Sequence, residues 1–508
     1  MQSRFSSGRA VFAAIVVIYL GFAAATIVTK RPWVDEAWFT GPGLDLVTRG
    51  KFGTLLLDPA GSHLRLFKPD TVLQGINERT YWVMPLHLVQ IALWGKLFGF
   101  SVFSIRVPSA LWGILALASV GVVIRRLYPP GGNAAALIGA AVLAVDFGFV
   151  ESASEGRMDM MCSALGFASL AAYLTLRERN FHRAVLLSSV LAAAACFTHP
   201  NGAYASVALV VAMAWLDRRA VRPLTIAIMA APYAVGGLAW AAYCAQAPSD
   251  FVAQFSANSA SKLEGLFTPW RGIWLEIHDR YAAHYWPEGM SGKLKVIGLL
   301  LCLAAMWTLV ANRALRLATG CRLLVCLVVL RFLILAVSGG PKFEFYMVHI
   351  LPYFAAMIGI AAWHFWSSQD LRMRILCVAA LTIYFGVQTS VLLHKVVSIR
   401  GYQNEYRPMV NYLESSMRPD DLVAGSSELG FALGFYNRQV VDDVWLGYWS
   451  RKQPSVVVVD QWYYEPAISS ATQKGLPLPD YFTTLLSSQF NMVKEMKGYR
   501  IYRRREQQ

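Results

Sequence analysis

The stretch "WVMPLHLVQIALWGKLFG", residues 82–99, decides how this chain is read. It is apolar enough to be a membrane helix, yet it carries Pro85, His87 and Lys96. The arginines on either side settle its role. If 82–99 does not cross, alternate loops carry Arg4/Arg9, Arg125/Arg126, Arg177/Arg179/Arg183, Arg218/Arg219/Arg222, Arg313/Arg316/Arg322 and Arg372/Arg374, all on one side. The positive-inside rule makes that side cytoplasmic. If 82–99 crossed, every cluster after the first would flip away from the N-terminus. The stretch therefore reads as a juxtamembrane helix, with the N-terminus cytoplasmic.

Apolar spans then fall at roughly 11–29, 105–124, 134–150, 159–176, 184–198, 203–216, 223–243, 293–311, 322–338, 343–364 and 374–392, about eleven in all. The composition agrees. Of 508 residues, 56% are hydrophobic and only 15% are charged, against roughly 25% charged in a soluble domain. The net charge of +15 belongs to the loop clusters, so it is a topology signal and excludes a nucleic-acid partner. The seven cysteines form no CxxC spacing and lie almost entirely in apolar runs, which supports neither a disulfide framework nor a thiolate metal site. Lys30-Arg31-Pro32, rather than a small-residue cleavage site, follows the first apolar run, so that run reads as a retained anchor.

An odd number of spans places the C-terminus outside. The expected organisation is a transmembrane module over 1–394 and an extracytoplasmic α/β domain over 395–508. In the tail, 407–417 reads as a helix, "DDLVAGS" and "SVVVVDQWYY" as strands, and "FNMVKEMKGYRIYRR" as two strands around Lys497-Gly498. The alanine-rich, arginine-biased composition points to a bacterial inner membrane with the tail in the periplasm.

The unusual polar residues gather on the outer face. In "RPWVDEAWFT", residues 31–40, Asp35 and Glu36 stand where the chain leaves the membrane. They are either first-turn charges on a helix dipole or a general base at a lipid surface. Asp159 opens the fourth span, behind Glu151, Glu155 and Arg157; carboxylates gathered near a membrane surface usually have a use. "GGPKFEFYMVHILPY" offers Lys342, Tyr346 and His349 as snorkelling and belt residues, or as a clamp on an anionic lipid phosphate. Arg331, inside an apolar run, either reaches the same phosphate or pairs with a carboxylate such as Asp146. "WLEIHDRYAAHYW", 274–286, matches no zinc template and reads as an interfacial amphipathic helix. Arg79, Tyr81 and Lys68 could add to the site.

The order of these motifs resembles a known plan. The elements are an N-in first span, an Asp-Glu pair in a long outer loop, "YWVMPLH", "FSIRVPSALWGILAL" and an outer turn ending in Arg-x-Asp. That plan is the C-type (GT-C) membrane glycosyltransferases, nearest the protein O-mannosyltransferase and lipid A aminoarabinose transferase group, over about the first 365 residues. The resemblance implies a fold of about eleven transmembrane helices with a soluble outer domain. It also implies Asp35 as the base that activates the acceptor, Glu36 as its neighbour and Asp159 as an organiser of the site. Lys342 and Tyr346 would meet the lipid phosphate; Arg157, His349, Arg331 and Arg79 are further candidate binding residues, read from the residues themselves. The aminoarabinose transferases carry Lys-Pro before the "YW"; here Lys68-Pro69 lies well upstream, so either Arg79 substitutes or no residue does.

The implied reaction moves a sugar from a polyprenyl-phosphate donor, within membrane lipid, to a protein, lipid or glycan acceptor, with inversion. Cationic side chains can neutralise the phosphate, so no cofactor is required and a divalent metal is allowed. The rival readings are a transporter, which would want ionisable residues at midplane and repeated halves, and a lipid-polymer ligase.

Overall fold

The computed structural model describes residues 2–54, 56, 74–286, 293–338, 342–443, 446–448, 450–466 and 478–506. Lys68-Pro69 and Gly339-Gly340-Pro341 lie outside these residues. The chain divides into two compact units.

The helical unit comprises 1–27, 106–243 and 260–395. Every apolar run noted above contains a helix. Seven of the described helices are long and apolar enough to cross a membrane, among them Val102–Leu127, Met158–Leu176, Phe181–Thr198 and Thr319–Ser338. Gly132–Val145 and Val296–Ala311 are apolar and shorter. The run at 343–364 begins differently from its expected span. Residues Glu344–His349 form a 3₁₀ turn and the α-helix starts at Leu351. This puts Tyr346 and His349 on a turn, not inside a span. Helices in lipid gain little from apolar contact with each other and pack through small residues. Gly359 of Leu351–Ser367 illustrates this: a Cβ there would stand 2.5 Å from the Ala135 carbonyl oxygen and 2.9 Å from the Gly139 nitrogen. Gly359→Ala must push two helix backbones apart, and a loss of about 1–3 kcal/mol is expected, read as a lower melting temperature in detergent.

The second unit gathers 28–105, 244–259 and 396–508. Its five-stranded sheet has the order β2-β1-β3-β5-β4, with β1 Val423–Ala424, β2 Val440–Val441, β3 Val456–Asp460, β4 Phe490–Met496 and β5 Tyr499–Arg504. β1 is parallel to β2 and β3; β5 is antiparallel to β3 and β4. Gly498, at φ +82°, makes the β4–β5 turn that the sequence marks. β3 is buried on both faces, and its side chains alternate as strand geometry requires. Val456 and Val458 join a core with Ala37, Leu56, Met409 and Ile501, while Val457 and Val459 join one with Ile76, Val441 and Phe490.

The first outer loop is thus part of the same unit as the tail. Its helix Val34–Arg49 supplies Ala37 to one core and Trp38 to the edge of the other. The stretch that decided the topology is the helix Pro85–Phe98, 14 residues long, too short to cross the ~30 Å apolar layer. Gln254 fastens the loop, accepting from the Tyr81 N–H at 2.7 Å and donating to the carbonyls of Gln74 and Arg79 at 2.6 and 3.0 Å.

Candidate active site

In the helical unit, Asp159 is the second residue of the helix Met158–Leu176, and Arg157 is its extended N-cap. Arg157 Nε donates to Asp159 Oδ2 at 3.1 Å and stands 3.7 Å from Glu155. Its guanidinium lies 3.9 Å over the Phe345 ring. The "EGRMD" turn is therefore a buried charge cluster with one arginine at its centre. The 3₁₀ turn brings His349 Nε2 to 3.5 Å from Asp159 Oδ1, and neither atom has a hydrogen-bond partner. Ser163 ties the turn to the same helix by donating to the Val348 carbonyl at 2.9 Å. Tyr346 stands 5.5 Å, ring to ring, from His199 and 6.3 Å from His349.

Asp159, His199 and His349 have potential metal-ligand atoms within 4.8 Å of one another, the one such group among the described residues. The donor set fits a cation poorly. His199 Nδ1 accepts from the Asn201 N–H at 2.9 Å, which assigns the imidazole proton to Nε2. A ligand histidine normally does the opposite, donating through its second nitrogen. The Arg157 guanidinium beside Asp159 further opposes a divalent ion. The trio could take a metal only with the His199 proton removed.

The stretch 274–286 departs from the surface helix expected of it. Trp274 and Trp286 are exposed, but Glu276 and Arg280 are fully buried. A π-helical turn, Glu276–Tyr281, carries them. Arg280 Nη1 donates to both oxygens of Glu276 at 2.5 and 2.7 Å, and Nε donates to the Phe343 carbonyl at 3.0 Å. Arg280 Nη2 has no hydrogen-bond partner among the described residues, and the guanidinium carbon lies 5.5 Å from the Tyr346 ring. The only hint in the sequence is the Glu-x-x-x-Arg spacing. Lys342 is differently occupied. Its ammonium donates to the Leu335 and Ala336 carbonyls at 2.9 and 2.7 Å, at the C-terminal end of Thr319–Ser338, and sits 3.4 Å from Glu276.

Arg331 is buried; its Nη1 donates to the Asn201 carbonyl at 3.3 Å and its guanidinium carbon lies 4.7 Å from the Tyr204 ring, while Nε and Nη2 have no hydrogen-bond partner among the described residues. It lines a small cavity with Ser163, Asn201, Tyr204, His349 and Tyr353. Asp146, the carboxylate suggested for it, instead accepts from Tyr384 and from the Phe149 N–H, both at 3.0 Å. Among the described residues, Arg280 Nη2, Arg331 Nε and Nη2 and the Tyr281 hydroxyl are all buried donors lacking acceptors. Such groups are costly unless an acceptor arrives.

In the second unit, Asp35 and Glu36 separate. Glu36 is fully buried, and its Oε2 accepts from the Trp33 N–H at 2.9 Å, closing a capping box. This is the helix-start role weighed against catalysis. Asp35 is half-buried on the first turn. Arg79 has a long contact to Gln246, 3.4 Å. Arg31 stacks 3.5 Å over Trp462 and stands 3.7 Å from Glu428, which also accepts from the Tyr499 hydroxyl at 2.7 Å.

Burial pushes the Glu428 carboxyl up from 4.5 to about 8; Arg31 pulls the other way and Asp460 adds to the rise. Burial likewise raises Asp442 to about 7, against the hydrogen bonds from Ser427 and Trp38. A raised acid holds in the fold a proton that the unfolded chain has lost. Stability is therefore greatest below the unfolded value near 4.5 and falls as pH rises toward about 8. Glu428→Gln is expected to flatten that fall in melting curves run between pH 5 and 8.5.

Residues 83–240 match the family model described as dolichyl-phosphate-mannose-protein mannosyltransferase. A comparison with curated protein sequences returns no significant match. Among solved structures, ArnT from Cupriavidus metallidurans bound to undecaprenyl phosphate is similar over 97% of both chains, at 15% identity and TM-score 0.56. Its apo form matches over 98% of both, at 14% and 0.58. The Archaeoglobus fulgidus oligosaccharyltransferase matches over 89% of this chain and 69% of its own, at 10% and 0.55. Residues 83–240 are thus similar to that mannosyltransferase family, and the chain as a whole shares the fold of the membrane glycosyltransferases ArnT and the archaeal oligosaccharyltransferase.

Proposed function

We propose that this protein transfers a sugar from a polyprenyl-phosphate donor to an acceptor outside the cytoplasm, in one inverting displacement. The observation that carries the reading is the set of buried donors without acceptors among the described residues on Arg331 and on Arg280, the latter 5.5 Å from the Tyr346 ring. An anion entering from the bilayer satisfies them, and a lipid monophosphate has the required oxygens. The undecaprenyl phosphate of the ArnT neighbour is the ligand we carry over.

In the displacement, Asp35 takes the acceptor proton. The acceptor oxygen bonds to the anomeric carbon, and the bond from that carbon to the phosphate oxygen breaks. The phosphate leaves with the electron pair, held by Arg280 and Arg331, with Tyr346 alongside. Asp159, fixed by Arg157, orients the sugar. His349 lines the same space, and Lys342 supports the clamp through Glu276. The arginine-rich loops support a cytoplasmic N-terminus, and a bacterial inner membrane with the tail in the periplasm fits the composition. No step is assigned to a metal.

The test is binding of undecaprenyl phosphate to the purified protein. Arg331→Gln leaves no carboxylate unpaired, and a roughly 10- to 100-fold weaker affinity is expected from loss of a charged hydrogen bond. Unchanged affinity would remove Arg331 from the site. No binding by the wild type would remove the donor reading.

A further inference from the structure

The second unit places the helix that bears Asp35 in the grip of the C-terminal domain. Trp38 Nε1 donates to Ser427 Oγ at 3.0 Å and to Asp442 Oδ2 at 3.3 Å. Asp442 is itself fixed, accepting from the Ser427 N–H at 3.0 Å and the Ser427 hydroxyl at 2.5 Å, and it is fully buried. The Trp38 ring meets Trp82 and Tyr463 edge-on, with centroids at 5.6 and 5.7 Å and both planes at 85°. Two perpendicular neighbours and one shared N–H leave the indole a single orientation. At the start of the helix, Arg31 is stacked on Trp462. At its far end, Tyr436 donates to Asp45 at 3.2 Å.

Asp35 and Trp38 are three residues apart, so they lie on one face of the helix. Whatever fixes the rotation of Trp38 about the helix axis fixes Asp35 with it. Packing alone does not require a carboxylate here: Ala37, on the next face, is held by apolar contacts only. Burying Asp442 to accept from an indole N–H is costly, and it specifies one geometry where apolar contact would allow several.

We infer that Asp442 and Ser427 are positioning residues for Asp35, acting through Trp38, so that the C-terminal domain is part of the catalytic apparatus. The inference rests on the reading of Asp35 as the base. Its test has one arm that does not.

The variants are Trp38→Phe, which keeps an aromatic ring and removes the N–H, Asp442→Leu, which keeps the volume and removes the acceptor, and the double substitution, all in the full chain in membranes. The first measurement is hydrogen exchange of the amides at 34–40, with those of β3 as the internal reference. Each single variant is expected to speed exchange at 34–40 about tenfold and leave β3 unchanged. The double variant should add little, because both changes break one contact. The second measurement is sugar transfer. The kcat should fall at least tenfold while KM for the lipid donor stays within about twofold, since misplacement of a base by an ångström is enough for such a loss. Unchanged exchange at 34–40 overturns the inference. So does faster exchange through the whole unit, which would make the contact one of general stability. If the wild type transfers no sugar, the transferase reading fails, and exchange alone still decides whether the domain holds this helix.

Discussion

Asp35→Asn is expected to lower sugar transfer by about 10²–10⁴-fold, the range a positioned general base contributes. The amide keeps the shape and hydrogen-bonding reach of the carboxylate and loses its proton affinity. Binding of undecaprenyl phosphate should not change, because the groups proposed to hold the phosphate are on Arg280 and Arg331. Glu36→Gln is the control. Glutamine serves the capping box as well as glutamate, so the bond from the Trp33 N–H survives and transfer should stay within a few-fold. The measurement is chase of a radiolabelled polyprenyl-phosphate sugar into protein, lipid and glycan fractions at matched expression, which also reveals the acceptor class. Equal transfer by wild type and Asp35→Asn would leave Asp35 a surface charge on a helix dipole. Collapse with Glu36→Gln alone would exchange the two roles.

The second large effect is expected on stability. Arg280→Gln leaves Glu276 fully buried, with Lys342 at 3.4 Å as its remaining cation. Breaking a buried pair from one side costs about 3–5 kcal/mol, enough to lower expression and melting temperature sharply. Glu276→Gln with Arg280→Gln removes both charges of the pair and leaves Lys342 its two carbonyl acceptors, so part of that loss should be recovered. The double variant should still bind undecaprenyl phosphate poorly, because Arg280 Nη2, the nitrogen that faces no protein acceptor, is gone. Recovery of stability together with full lipid affinity would make the pair purely structural.

Which features could be read in advance follows from the range of the forces involved. The helices were legible because apolar runs and arginine clusters are local signals set by the bilayer. The 14-residue length of Pro85–Phe98 agrees with the loop charges that assigned it. β3, β4 and β5 are legible because Val456–Val459 is an unbroken apolar run and Lys497-Gly498 marks a turn; the two-residue strand β2, Val440–Val441, carries no such signal. His349 was placed in a span because its flanks are apolar; the 3₁₀ turn that carries it is held by a bond between Ser163 and Val348, 185 residues apart. Lys342 looked free to meet a phosphate because its partners are backbone carbonyls, which no sequence pattern displays. The Glu276–Arg280 pair was hidden by exposed tryptophans on the same short helix. Trp38 and Asp442 are 404 residues apart and carry no local mark of their meeting.

The unit that holds Asp35 is sewn from three separated stretches of chain, and this sets an order of birth. The Val34–Arg49 helix leaves the ribosome early. β5, Tyr499–Arg504, which supplies Ile501 to the core that receives Ala37, leaves it hundreds of residues later. Throughout synthesis the helix waits without its platform. The proposed base is therefore set only after the last strand has zipped between β3 and β4. A nascent or prematurely stopped chain carries Asp35 without the platform that the later strands build around its helix.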